Sequence, residues 1–218
     1  MQGNNKNDNS NKEKNESIFN KEINEFSNDI QNDISKLCKD FIHNKNENQE
    51  YDKNKLKHIM KLIEVFSTMK LLKEDYFPIE LIDNLYIGTI GAASNLKQLE
   101  KNKITHILIA GEGIKKYFPD KFTYIQFNIL DTEIQNIKQY FEQANEFINN
   151  AINNNGKVLV HCHAGISRSS TICIAYIMKY KKMKFEDALK FVRQKRPKIS
   201  PNKGFIQQLR NYEKELNI

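Results

Sequence analysis

The sequence predicts an α/β domain with a central, mostly parallel sheet flanked by helices, preceded by a helical N-terminal extension. Short apolar runs rich in β-branched residues, typical of buried strands, alternate with longer stretches in which apolar residues recur every three or four positions, typical of helices. The 218 residues provide for one such domain of about 140 residues in addition to the extension.

The N-terminal third differs in composition from the rest. Residues 1–16 are almost entirely Asn, Lys, Asp, Glu and Ser, which predicts a disordered tail. Apolar residues then step by three or four from Ile18 to Ile42, which predicts a helix of about seven turns, and a second such pattern runs from Leu56 to Leu72. Helices within residues 17–75 must cover their apolar stripes. They either pack on each other or on the following domain, or they form a docking or self-association surface.

The remaining elements alternate along residues 77–216. We predict strands near residues 79–88, 104–109, 123–127 and 157–161. We predict helices near residues 93–101, 134–152, 168–180, 185–195 and 203–216.

Residues 161–170, His-Cys-His-Ala-Gly-Ile-Ser-Arg-Ser-Ser, connect a predicted strand to a predicted helix. A tight loop and a helix N-terminus bind anions because their backbone N–H groups point at the ligand. We expect the same donors to stabilise negative charge on the sulfur of Cys162. Arg168 adds a planar fork of donors that holds two phosphate oxygens at once.

A thiolate and a phosphate in one cradle point to a specific chemistry. Cys162 attacks phosphorus and forms a cysteinyl-phosphate that water later cleaves. The hydroxyl of Ser169 can hydrogen-bond the sulfur and help it to leave in the second step. A buried cysteine in an ordinary turn is the alternative, but Gly165, Arg168 and Ser169 at their offsets favour the phosphatase interpretation.

This loop resembles the signature of the cysteine-dependent protein phosphatases, in which Cys and Arg are separated by five residues and followed by Ser. The fuller string, His-Cys-x-Ala-Gly-x-Ser-Arg-Ser, is similar to that of the dual-specificity branch. Residues 83–88, 104–108 and 200–209 also resemble the family, so the likeness covers about residues 77–216. It is greatest for the small atypical members and for the catalytic domains of MAP-kinase phosphatases.

The resemblance implies a protein tyrosine phosphatase-like fold and hydrolysis of phosphotyrosine and of phosphoserine or phosphothreonine. It implies that residues of the loop bind the phosphate and that two others support it. The phosphate-binding residues are His163, Ala164, Gly165, Ile166, Ser167 and Arg168, and the supporting residues are His161 and Asn202. One departure is Ile109-Ala110-Gly111, where the family often has Asn, so any polar support for the loop from that Asn is missing or comes from elsewhere.

The reaction also needs an acid to protonate the leaving oxygen. The resemblance implies an Asp on a loop before a long helix, and Asp131 lies there, after the predicted strand 123–127. The alternative is that Asp131 caps the following helix, where Asp is favoured. The strand, the helix pattern and the downstream nucleophile favour the acid. Glu133 is the fallback acid.

The cysteine content predicts a reducing compartment. Cys38, Cys162 and Cys173 form neither a paired framework nor a metal-ligand spacing. We expect catalysis without a metal or another cofactor, and Cys173 within the core. The sequence has neither a signal-peptide pattern nor a long charge-free apolar run, so we expect no membrane association. We expect a cytoplasmic protein, with a nuclear one as the alternative because lysines cluster from Lys179 to Lys184.

The net charge of +7 is concentrated around the phosphate loop. Residues 151–200 contain 11 Lys and Arg but two Asp and Glu, whereas residues 1–76 contain 13 and 14. The basic excess includes Lys179, Lys181, Lys182, Lys184, Arg193, Lys195 and Arg196. It either steers a phosphoprotein to the site or is an ordinary solvated surface. Nucleic acid is the weakest of the interpretations of this basic excess, so we do not expect it as a partner.

The predicted partner is therefore a phosphoprotein, such as a MAP kinase or another signalling protein. Phosphoinositides and RNA 5′-triphosphate are the competing substrates, although the loop lacks the lysines of the inositide-lipid phosphatases. Two non-catalytic functions compete with the enzyme: an inactive phosphate-binding module, and a scaffold that acts through the N-terminal helices.

Overall fold

The computed structural model describes residues 34–36 and 49–218. Two compact units divide the chain, Met1–Lys70 and Leu71–Ile218. Residues 34–36 are helical, and helix α1 spans Gln49–Glu74, so a helix covers the predicted pattern from Leu56 to Leu72. The predicted tail over residues 1–16 and most of the predicted helix over 18–42 lie outside the described residues. Within the described parts of the chain, no helix is both long and apolar enough to cross a lipid bilayer.

One sheet lies within the described residues, and its five strands have the order β1-β2-β5-β3-β4. Three neighbouring pairs, β2-β5, β5-β3 and β3-β4, are parallel, and β1 is antiparallel to β2. The prediction of a central, mostly parallel sheet is therefore confirmed. The strands are β1 (Ile79–Ile82), β2 (Leu85–Gly88), β3 (His106–Ala110), β4 (Thr123–Phe127) and β5 (Val158–His161).

The single strand predicted over residues 79–88 is wrong, because two antiparallel strands occupy this stretch. The chain reverses at Asp83 and Asn84, and Asn84 has a φ of 69°, in the left-handed region that Asn tolerates better than most residues. The N–H of Asn84 donates to Glu80 Oε1 across the turn, at 3.2 Å. The strand prediction overlooks this turn because apolar residues lie on both sides of it.

Helices follow the strands in the predicted order. The helix predicted over residues 93–101 is broken at Asn95, whose Oδ1 accepts from the N–H of Gln98 and so begins a second helix. The helices are α2 (Ile90–Ser94), α3 (Leu96–Lys101), α4 (Phe141–Asn153), α5 (Arg168–Lys181), α6 (Phe185–Lys195) and α7 (Lys203–Leu216), with a 3₁₀ turn at Lys138–Tyr140 before α4.

The helices cover both faces of the sheet, which explains the continuous apolar runs of its strands. Val158 and Val160 of β5 belong to a large core with residues of α4 to α7, whereas Leu159 belongs to a smaller core with residues of α2 and α3. The loop of residues 162–167 leaves the carboxyl end of β5, the middle strand. Open α/β sheets bind ligands at this edge.

Candidate active site

Cys162 follows β5 directly, and its sulfur lies at the base of the loop. The thiol is 1 % exposed, and its Sγ accepts a hydrogen bond from the N–H of Gly165 at 3.2 Å. Ser169 Oγ, in the first turn of α5, lies 3.3 Å from the same sulfur. A backbone donor and a hydroxyl therefore converge on Sγ, and both stabilise negative charge on it.

Gly165 occupies a position that only glycine can fill. Its φ is +64°, and a Cβ there would lie 2.6 Å from the carbonyl oxygen of Gly88 and 2.7 Å from Arg196 Nη2. The loop can therefore turn tightly enough for its N–H groups to point inward, as an anion cradle requires.

Arg168 begins α5 and is mostly buried. Its Nη1 donates to the carbonyl oxygen of Ile129 at 3.3 Å. A Cβ on Gly111 would lie 3.0 Å from this Nη1, so the departure at residues 109–111 leaves room for the guanidinium. The side chain is thereby held next to the loop, and its planar donors can bind two oxygens of a phosphate.

Asp131 lies on the loop after β4 and contacts three site residues. Its Oδ1 accepts hydrogen bonds from Ser167 Oγ at 2.7 Å and from Asn202 Nδ2 at 3.0 Å. Its Oδ2 lies 3.5 Å from Arg168 Nε. The side chain is 37 % exposed, so the carboxyl group is anchored through Oδ1 and remains partly accessible to solvent.

The helix-cap alternative for Asp131 is wrong. The helix predicted from residue 134 begins with the 3₁₀ turn at Lys138–Tyr140, and α4 follows it, without a side-chain cap at either start. Gln208 Oε1 accepts from the N–H groups of Ile137 and Lys138 at 2.8 and 2.9 Å, and so takes the place of a capping residue. Asp131 is six residues before the first of these, on a separate loop.

The acid loop, residues 131–133, is named for the candidate acid Asp131 and packs on the start of α7. A Cβ on Gly204 would lie 1.9 Å from the carbonyl oxygen of Glu133, so only glycine permits this approach. Asn202 caps α7 by accepting from the N–H of Phe205 at 2.9 Å, and the same side chain donates to Asp131. The side chain of Glu133 is exposed, and its backbone makes the contact with α7.

His161, which precedes the loop, and Cys173, which lies in α5 after it, are both buried. His161 Nδ1 lies 3.2 Å from the carbonyl oxygen of Cys162, and its buried Nε2 has no hydrogen-bond partner within the described residues. Burial lowers the pKa of His161 to about 4, although the Cys162 carbonyl opposes the shift, so the ring is neutral at pH 7. Burial, together with the nearby Cys162, raises the pKa of Cys173 far above its usual value, and this thiol is part of the core.

The prediction that Arg196 belongs to a basic surface is wrong. The sequence places it among the surface charges, but it is 1 % exposed. Its Nε donates to the carbonyl oxygen of Gly165 at 2.8 Å and its Nη2 to that of Ala164 at 3.1 Å. A sequence signal exists, because residue 196 continues the buried stripe of α6 four positions after Val192. Polar support for the loop therefore comes from this arginine.

A buried thiol in a tight loop, an arginine that follows the loop and a carboxyl group bonded to the same loop are the parts expected of a cysteine-dependent phosphoric monoester hydrolase. The protein tyrosine phosphatase-like sheet places all of them at one edge.

Comparison with known proteins agrees with this class. The model of the dual specificity phosphatase catalytic domain matches residues 85–215. The chain is 37 % identical to dual specificity protein phosphatase 1 of Arabidopsis thaliana, over 78 % of this chain and 86 % of that protein. It is 44 % identical to MAP kinase phosphatase with leucine-rich repeats protein 3 of Dictyostelium discoideum, over 64 % of this chain but 16 % of that protein.

A solved structure shows the same fold. The human tyrosine phosphatase-like serine/threonine/tyrosine-interacting protein is 39 % identical and superposes with a TM-score of 0.63, over 66 % of this chain and 99 % of that one. The chain belongs to the dual specificity phosphatase family. It is a protein phosphatase that acts on phosphotyrosine and on phosphoserine or phosphothreonine.

Proposed function

We propose that Cys162 is the nucleophile of a two-step phosphoryl transfer. The observation that carries this proposal is the convergence of the Gly165 N–H and the Ser169 hydroxyl on one buried sulfur. In the first step the Sγ–P bond forms and the ester P–O bond breaks. In the second, water attacks phosphorus, the S–P bond breaks and Ser169 stabilises the departing thiolate.

Arg168 and Asp131 have the two remaining roles. The guanidinium binds two equatorial oxygens of the transferring phosphoryl group, where charge is distributed in the transition state. Asp131 donates its proton to the leaving oxygen in the first step and accepts one from the attacking water in the second. Oδ1 is already held by Ser167 and Asn202, so Oδ2 is the atom that carries the proton.

The substrate we propose is a signalling phosphoprotein in the cytoplasm or the nucleus. A MAP kinase is one such substrate, since the Dictyostelium relative is named as a MAP kinase phosphatase. The exposed lysines near α5 and α6 favour a doubly charged phosphate group. A panel of phosphopeptides that includes doubly phosphorylated members tests this assignment, and equal turnover of every member would contradict it.

The acid is tested with Asp131→Asn, which keeps the acceptor for Ser167 and Asn202 but has no proton to exchange. Hydrolysis of alkyl phosphates should fall by about 10²–10⁴-fold, and hydrolysis of aryl phosphates with acidic leaving groups much less. Glu133→Gln is the matched control and should leave this dependence unchanged. If the dependence on the leaving group changes in Glu133→Gln instead, Glu133 is the acid.

The nucleophile is tested with Cys162→Ser, which should abolish turnover and still bind phosphopeptides through the loop and Arg168. Turnover near that of the wild type would refute the assignment.

A further inference from the structure

The phosphate loop, residues 162–167, is fixed from its outer side. Five consecutive carbonyl groups, those of residues 163–167, all accept hydrogen bonds. The N–H of Ile90 binds the first, at 3.1 Å, and the N–H of Ser200 binds that of Ile166, at 2.9 Å. With its carbonyls held outward, the loop presents its N–H groups to the interior of the cradle.

The two carbonyls in the middle of the loop depend on one side chain. Ala164 and Gly165 accept from Arg196, which comes from the end of α6 and is fully enclosed. An enclosed guanidinium is stable only if its charge is paired and its donors are satisfied. The position of these two carbonyls therefore depends on the residue that pairs with the charge of Arg196.

That partner is Asp75, which forms a two-point ion pair with Arg196 at 2.8 and 3.4 Å. Lys198 also pairs with it. Burial alone would raise the pKa of Asp75, but the hydrogen bonds and charges of Arg196 and Lys198 outweigh it and lower the pKa. Asp75 is therefore a carboxylate at neutral pH, as the ion pair requires.

Asp75 is itself held in place by the catalytic region. Its carbonyl oxygen accepts from Thr89 Oγ1 at 2.5 Å. Thr89 is buried and caps α2, whose first residue, Ile90, donates to the loop at His163. One short path thus links Asp75 to the loop through its side chain, and another links it through its backbone. The residue lies ten positions before Leu85, where the match to the family domain begins.

We propose that Asp75 is a positioning residue of the active site, which acts through Arg196 to hold the phosphate loop in its anion-binding form. The inference rests on the proposed role of that loop in binding phosphate. It follows that the functional phosphatase begins before the family domain, at the segment after α1.

The test uses the full chain and measures oxyanion binding apart from chemistry. In Asp75→Ala, tungstate should inhibit hydrolysis of an aryl phosphate about 10- to 100-fold less tightly, because the loop N–H groups no longer converge. The value of kcat/KM should fall alike for good and poor leaving groups, unlike in Asp131→Asn. Glu142→Ala is the matched control, since it removes a carboxylate that pairs with Lys179 and Tyr212 away from the loop. It should bind tungstate as the wild type does.

A double-variant cycle separates positioning from general stability. Arg196→Met should weaken tungstate binding, and adding Asp75→Ala to it should weaken binding little further, because Asp75 acts through the arginine. Asp75→Asn, which keeps its volume and one acceptor, should give an intermediate loss, and it replaces Asp75→Ala if that variant does not fold. Tungstate affinity equal to wild type in folded Asp75→Ala or Asp75→Asn, or full additivity with Arg196→Met, would overturn the proposal. Turnover by Cys162→Ser would instead refute the nucleophile and leave this test unaffected.

Discussion

Gly204 sets the position of Asp131, the proposed general acid, and Gly204→Ala tests this most directly. An added Cβ would lie 1.9 Å from the carbonyl oxygen of Glu133, and 2.6 Å and 2.7 Å from its C and Cα. Ordinary van der Waals contact begins at 3.4 Å, so the acid loop must retreat by roughly 1.5 Å. All three atoms belong to the backbone, so rotation of a side chain cannot relieve the clash.

The retreat carries Asp131 away from both residues that hold it. Asn202 and Ser167 donate to Oδ1 at 3.0 and 2.7 Å, and both residues lie outside the acid loop. A displacement of about 1 Å can cost a factor of 10² in rate. We therefore expect hydrolysis of alkyl phosphates to fall about 10²-fold, hydrolysis of activated aryl phosphates to fall much less, and tungstate affinity to stay unchanged.

The assay is kcat for a series of phosphate esters whose leaving groups differ in acidity, with tungstate inhibition measured alongside. Lys203→Ala, one residue earlier on the exposed side of α7, is the control and should match the wild type. Alanine is the better helix former by about 1 kcal/mol, so a rate loss in Gly204→Ala is not explained by a weaker helix. Wild-type rates on alkyl phosphates in Gly204→Ala would refute the reasoning.

Three more outcomes are expected. Arg168→Lys should lose most of its kcat, since an ammonium cannot form the paired contact with two phosphate oxygens; steady-state kinetics that retain most of it would contradict the role. The neutral His161, with its pKa near 4 against about 6.5 in the unfolded chain, favours folding above pH 6.5, and this contribution is lost as the pH falls. Urea unfolding should therefore show about 2 kcal/mol less stability at pH 5 than at pH 7 from this group, a loss absent in His161→Gln. Deletion of residues 1–70 should leave aryl-phosphatase activity largely intact. Deletion of residues 1–75 removes Asp75 as well and should therefore weaken tungstate inhibition. Light scattering and thermal melts would reveal aggregation if the removed helices instead cover apolar surface.

The phosphate loop is predictable because its chemistry is local. Cys162, Gly165, Arg168 and Ser169 lie within eight consecutive residues, and a strand and a helix on either side fix their geometry. The apolar runs of the strands are equally direct, since a sheet buried on both faces needs them.

The positions that sequence reasoning misses depend on partners far along the chain. Arg196 continues the buried stripe of α6 but stands among exposed charges in the sequence, and its partly buried partner, Asp75, is 121 residues away. The helix predicted from residue 134 begins instead with the 3₁₀ turn at Lys138–Tyr140, where Gln208, some 70 residues later, accepts from the N–H groups of Ile137 and Lys138. The hairpin at Asn84 escapes prediction for a different reason, since its turn is short and lies between two apolar strands.

The central position of β5 has a consequence for how the enzyme loses activity. Both edges of this strand are paired, with β2 and β3, and Val158, Leu159 and Val160 are completely enclosed. Amide protons in such a strand exchange with solvent only when the whole unit opens, whereas exposed loops open at far lower free energy. Strand β5, which precedes the proposed nucleophile Cys162, should therefore be among the last parts to exchange in deuterated water, and the loop that bears Asp131 among the first. On warming, hydrolysis of phosphate esters with poor leaving groups should decline before the affinity for phosphate does.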